Sequence, residues 1–133
     1  MNYVIIGAGP AGVVAAETLR KNDPEGDITM ISGEGASPYS RMAIPYFLTG
    51  KIEESGTHLR KAKDHYDSNS IKVIAENVSK VDTKKSTVTL SNGDSVSYDK
   101  LLIASGATPV KPPVPGLDRV GVHHCWTLED AHN

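Results

Sequence analysis

Tyr3-Val4-Ile5-Ile6-Gly7-Ala8-Gly9-Pro10-Ala11-Gly12 is the stretch that decides the fold. Its first four residues form a short apolar run, the pattern of a strand buried on both faces. Its glycines fit G-x-G-x-x-G. In that arrangement Gly7 permits the tight turn out of the strand. Gly9 lets backbone come close to a pyrophosphate, and Gly12 lets a following helix pack close to the sheet. The amides at the helix start, Ala11 among them, together with the positive end of the helix dipole, suit phosphate oxygens. Pro10 fits a first helical turn, where its missing N–H is not needed. The alternative is a glycine-rich turn with no ligand, but such a turn needs one glycine rather than three. A helix is therefore predicted over 10–22, with Ala15, Ala16 and Leu19 on its apolar face and Asn22-Asp23-Pro24 as its stop.

Working outward, Ile28-Thr29-Met30-Ile31 reads as a second strand. An acidic residue at the end of that strand can accept hydrogen bonds from ribose hydroxyls. Glu34 stands 22 residues after Gly12, and it is the candidate. Such an acid favours a free 2′-hydroxyl, which NAD and the adenosine of FAD share. The segment Gly33–Pro45 is rich in Gly, Ser and Pro and reads as a functional loop. Ala43–Leu48 suggests a helical turn. Thr57–Ser68 reads as a polar helix with Leu59, Ala62 and Tyr66 inward, and Ile71–Ile74 as a third strand.

The period then changes to two. Val78–Val81, Thr87–Leu90 and Ser95–Tyr98 alternate, with a hairpin turn at Asn92-Gly93, which predicts a three-stranded antiparallel meander. Leu101–Ala104 is again a buried strand. Prolines 109, 112, 113 and 115 predict a stiff, extended crossing segment. Val120-Gly121-Val122 reads as a short strand, and Thr127 as an N-cap with Glu129 and Asp130 in its first turn. The expected class is α/β: a Rossmann-like parallel sheet with helices, carrying an inserted β-meander.

Composition narrows the function. The chain has 133 residues, room for one compact domain, and 14 basic against 16 acidic side chains. That balance argues against a nucleic-acid footprint or a polybasic membrane patch. One cysteine, Cys125, excludes an internal disulfide framework and a cysteine-rich zinc site. No apolar run approaches a membrane span, and Met1-Asn2-Tyr3 enters a strand with no basic leader, so the cytoplasm is the expected compartment. His123-His124 are adjacent on an extended segment and point to opposite faces, so no metal site is expected.

A second motif separates the dinucleotides. Tyr98-Asp99-Lys100-Leu101-Leu102-Ile103-Ala104-Ser105-Gly106-Ala107 follows the meander. It resembles the second FAD-binding motif of flavoproteins with two dinucleotide domains. With the first motif and the meander between them, the whole chain resembles the N-terminal part of the pyridine nucleotide-disulfide oxidoreductase superfamily. It is most similar to the branch holding NADH oxidases, rubredoxin and ferredoxin reductases, and the flavin module of nitrite reductases.

The resemblance implies FAD as cofactor, held by Gly7, Gly9, Pro10, Ala11, Gly12, Glu34, Ala104, Ser105 and Gly106. On this reading the Ser105-Gly106 backbone turns back under the first phosphate loop, Gly106 being small enough for the approach. In Pro38-Tyr39-Ser40-Arg41-Met42-Ala43-Ile44-Pro45-Tyr46, the resemblance makes Arg41 a ligand of the pyrophosphate. It also puts Val78 where backbone groups read adenine. Members with a redox cysteine carry it two residues before a Leu-Pro-Tyr. Here Ile44-Pro45-Tyr46 matches that tripeptide and Met42 takes the cysteine position. A thioether forms neither thiolate nor mixed disulfide, so cysteine-based disulfide and peroxide chemistry is disfavoured. Cys125, beside Trp126, is expected to be a buried small apolar residue.

The resemblance further implies NAD(P)H as electron donor, bound by a domain outside this chain, and an acceptor among oxygen, rubredoxin, ferredoxin and a nitrite-reducing module. It implies a homodimer for the full-length protein. No residue of the chain reads as catalytic acid, base or nucleophile. Residues 1–110 are expected to be the first part of an FAD-binding domain, and 111–133 a crossing segment towards an NAD(P)-binding domain. The chain thus reads as part of a longer oxidoreductase. A non-catalytic module binding NAD or FAD, or an inactive fragment, is the other reading.

Overall fold

A computed structural model describes residues 1–35 and 37–132. Four parallel strands form the central sheet: β1 (Asn2–Ile6), β2 (Asp27–Ser32), β3 (Ile71–Ala75) and, late in the chain, β7 (Lys100–Ile103). Their order is β3-β2-β1-β7. The chain therefore builds outward from β1 in one direction and later returns to its other side. The resulting crevice between β1 and β7 is the topological switch point, where ligands of open α/β sheets bind beyond the carboxyl ends of the strands. Between β3 and β7 the chain makes the meander: β4 (Val78–Asp82), β5 (Thr87–Leu90) and β6 (Ser95–Ser97), all antiparallel.

The alternation of side chains along β1 explains the layers. Ile5 joins Ile28, Met30 and Ile71 against the helix α1 (Pro10–Asn22), whose Val13 and Ala16 are buried there. Val4 points the other way and packs with Ile31, Val88 and Leu90 of the meander. The central strands β1 and β2 are thus covered on both faces, whereas β7, expected as a buried strand, is an edge strand and leaves Leu102 and Ile103 40% and 64% exposed. Asp99 locks the return: its carboxylate accepts the Asn2 N–H at 2.7 Å, and its own N–H donates to the Asn2 carbonyl at 2.8 Å.

Two further expectations change. The polar helix predicted over 57–68 shrinks to the single turn α3 (His65–Ser68), preceded by a 3₁₀ turn at Glu54–Thr57. The reason is backbone pairing. Ser40 N–H donates to the Thr57 carbonyl and Leu59 N–H to the Pro38 carbonyl, both at 2.9 Å, around a bridge between Tyr39 and His58. His58 is thereby held extended, directly after the 3₁₀ turn. Tyr66 is buried and Leu59 packs at the core's edge, but Ala62 is exposed. Val120-Gly121-Val122 is not a strand but a turn: Gly121 has φ +88°, and Val122 N–H donates to the Arg119 carbonyl. The helix α2 runs over Ile44–Leu48, after a 3₁₀ turn at Arg41–Ala43.

Candidate functional site

Gly7 has φ +109°, and a Cβ there would lie 2.2 Å from the Ala104 carbonyl oxygen. A side chain is excluded on both grounds. The loop leaving β7 therefore passes against the glycine turn itself. This corrects the expected role of Gly106: the close approach belongs to Ala104 and Gly7. Gly106 instead supplies a left-handed turn at φ +72°, with open space out to Arg41 Nη1, 3.9 Å from a Cβ position. Gly12 seals the arrangement from below, since a Cβ would meet the Gly7 carbonyl oxygen at 2.0 Å. Gly9 is different. It is extended (φ −73°, ψ −176°), and a Cβ there would meet nothing within 4 Å. Gly9 borders open space at the N-terminus of α1, which no side chain caps.

That space is a cavity of about 550 Å³. Ten of the eleven residues singled out in the sequence line it: Gly7, Gly9, Pro10, Ala11, Glu34, Arg41, Val78, Ala104, Ser105 and Gly106. Gly12 does not, lying beneath the turn. The cavity sits beyond the carboxyl ends of β1, β2 and β7, and among its described lining residues Arg41 is the one cation. Met42, at the rim, is 83% exposed.

Glu34 and Arg41 do not stand apart. Arg41 Nη2 donates to Glu34 Oε1 and the Tyr39 hydroxyl donates to Glu34 Oε2. Tyr39 in turn accepts the Leu128 N–H at 2.9 Å. Burial, then the hydrogen bond to the Glu34 carboxylate, raise the Tyr39 phenol above the ordinary tyrosine range, which keeps it a donor. The Arg41 guanidinium carbon lies 4.6 Å from the centre of the Trp126 ring. Its Nε–H is buried and has no hydrogen-bond partner among the described residues.

Sequence reasoning missed Tyr39 as a hub and Trp126 as part of the lining. Both carried a signal. Tyr39 lies in the quoted Tyr-x-Arg segment, and Trp126 directly precedes the capping residue Thr127. The cap is as expected: Thr127 Oγ1 accepts the Asp130 N–H at 3.1 Å, and Asp130 Oδ2 accepts the Thr127 and Trp126 N–H groups at 2.8 and 2.9 Å. These backbone bonds hold the Asp130 carboxyl below the usual carboxylate range. The turn they close is short and 3₁₀, at Asp130–His132. Cys125 departs from expectation, being exposed, because residues 122–126 lie outside regular structure.

A parallel sheet with a glycine turn and a cavity at its switch point defines the class of Rossmann-like dinucleotide folds. Residues 1–133 match the family described as pyridine nucleotide-disulphide oxidoreductase. The chain is 36% identical over 130 residues to the NADH-dependent phenylglyoxylate dehydrogenase subunit epsilon of Aromatoleum evansii, covering 97% of this chain and 31% of that one. It is 40% identical over 130 residues to the NADH-rubredoxin oxidoreductase of Clostridium acetobutylicum, covering 96% and 33%. The crystal structure of NADH:rubredoxin oxidoreductase from C. acetobutylicum superposes with a TM-score of 0.86 at 33% identity, over 98% of this chain and 34% of that one. The chain belongs to the pyridine nucleotide-disulphide oxidoreductase family. It spans about a third of the length of these curated relatives. No helix among the described residues is long and apolar enough to cross a membrane.

Proposed function

We propose that the chain is the FAD-binding portion of an NAD(P)H-dependent flavoprotein oxidoreductase without a redox-active cysteine. The observation that carries this is the open space in front of Gly9, at an uncapped helix N-terminus and facing a single arginine. It suits a pyrophosphate: free first-turn N–H groups of α1 (Ala11, Gly12) and the Arg41 guanidinium are donors, and the unpaired Arg41 Nε–H leaves capacity to spare. Gly7 and Pro10 shape the turn, while Ala104, Ser105 and Gly106 form the wall beside it. Glu34 takes the ribose hydroxyls with the acceptor capacity that Tyr39 and Arg41 leave, and Val78 borders the adenine. Bound FAD would supply hydride acceptance from NAD(P)H and onward electron transfer.

In the same proposal, residues 1–110 are the first part of the FAD domain and 111–133 the crossing segment towards an NAD(P)-binding domain. The electron acceptor is oxygen, rubredoxin, ferredoxin or a nitrite-reducing module, the setting is the cytoplasm, and the full-length protein is a homodimer. The exposed Met42 thioether at the rim supports a route to the acceptor that uses no protein thiol. Calorimetric titration of the full-length apoprotein with FAD, NAD⁺ and ADP tests the reading. FAD and ADP should bind and compete for one site. Tighter binding of NAD⁺ than of FAD would favour a plain NAD module instead.

A further inference from the structure

We propose that Trp126 is the positioning residue for Arg41, its indole face holding the guanidinium where the dinucleotide's pyrophosphate is bound. The inference rests on the FAD reading above and adds a residue to it. Arg41 is a long side chain on a short 3₁₀ turn and is about one-third exposed. Ordering such a side chain costs rotamer entropy. Its ties among the described residues are Glu34, through one guanidinium nitrogen, and the Trp126 ring. A guanidinium over an indole face is held by a cation–π contact that uses none of its in-plane N–H groups. Those that Glu34 does not take are left for an oxygen-bearing anion.

Trp126 is fixed in turn. Its N–H and that of Thr127 both donate to Asp130, whose own N–H returns to Thr127 Oγ1. The next residue, Leu128, is 3% exposed against Tyr39 and Ile44, and its N–H donates to the Tyr39 hydroxyl. So the end of the described chain is stapled to the loop that carries Glu34 and Arg41. It delivers one aromatic face to one cation at the rim of the cavity. Preorganising a binding group in this way strengthens binding without adding a contact to the ligand.

The test uses the full-length apoprotein and two probes, ADP and AMP, which differ by the pyrophosphate. Trp126→Leu keeps apolar bulk but removes the π face. It should weaken ADP binding about fivefold or more and leave AMP within about twofold. Trp126→Phe, which keeps a face, should restore ADP binding to within about twofold of the parent. Arg41→Lys keeps the charge but loses the planar stack. It should cost about the same factor as Trp126→Leu, and the two together should cost no more than either alone. The Arg41→Lys arm still decides the matter if Trp126→Leu fails to fold. Equal losses for Trp126→Phe and Trp126→Leu would overturn the inference. So would losses that multiply in the double variant, or an Arg41→Lys protein that binds ADP like the parent. A parent protein that binds neither ADP nor FAD would overturn the pocket reading itself, and this inference with it.

Discussion

A Cβ at Gly12 would lie 2.0 Å from a backbone carbonyl oxygen, whereas one at Gly9 would touch nothing within 4 Å. The two glycines of one motif therefore do different work. Gly12→Ala forces backbone apart and should destabilise the protein by about 1–3 kcal/mol in chemical denaturation. Gly9→Val should leave stability within about 0.5 kcal/mol, because Gly9 is extended and a side chain there has room. It should nevertheless cut FAD affinity about tenfold or more by filling the space proposed for pyrophosphate. A Gly9→Val protein with unchanged FAD content would contradict the site. Tyr39 gives a second contrast. Tyr39→Phe removes one donor to Glu34 and strands the buried Leu128 N–H, which should cost about 1–3 kcal/mol. An unchanged denaturation midpoint would show that the staple contributes nothing.

At the scale of elements, α1 is pinned to the segment after the 3₁₀ turn by Glu17. Its carboxylate accepts both Nε–H and Nη2–H of Arg60 at 2.7 Å and lies 2.8 Å from His65 Nε2. The Arg60 hydrogen bond, foremost, holds the Glu17 carboxyl below the usual carboxylate range. A folded-state pKa that is depressed stabilises above the unfolded-state value and is lost as pH falls through the folded one. Glu17→Gln should therefore cost about 0.5–1 kcal/mol at pH 7, and the gap to the parent should close on acidification through the carboxylate range. A gap independent of pH in urea titrations would remove the ion pair from the account. The same segment shows where sequence reading ran out. Strands β1, β2, β3 and β7, helix α1 and the meander were all legible, because each carries its own periodicity or turn chemistry. The helix expected over 57–68 forms only its last turn, α3, because its first residues are recruited by Pro38 and Ser40, some twenty positions away in the chain. No local pattern records that pairing. The candidate site was legible in its glycines for the same reason that the strands were. Its aromatic members, Tyr39 and Trp126, were not, because they meet only when residues 126–128 fold back across the loop.

For the whole molecule, the central strands of the sheet are covered on both faces, its edge strand β7 is partly open, and the cavity lies beyond the strands' carboxyl ends. The chain spans about a third of the length of the curated relatives it matches. The measurement that tests the central claim most directly is the visible spectrum of the purified full-length protein before and after anaerobic addition of NADH or NADPH. The proposed function predicts a flavin spectrum that bleaches on addition of one of the two. A colourless protein that added FAD does not reconstitute would contradict it.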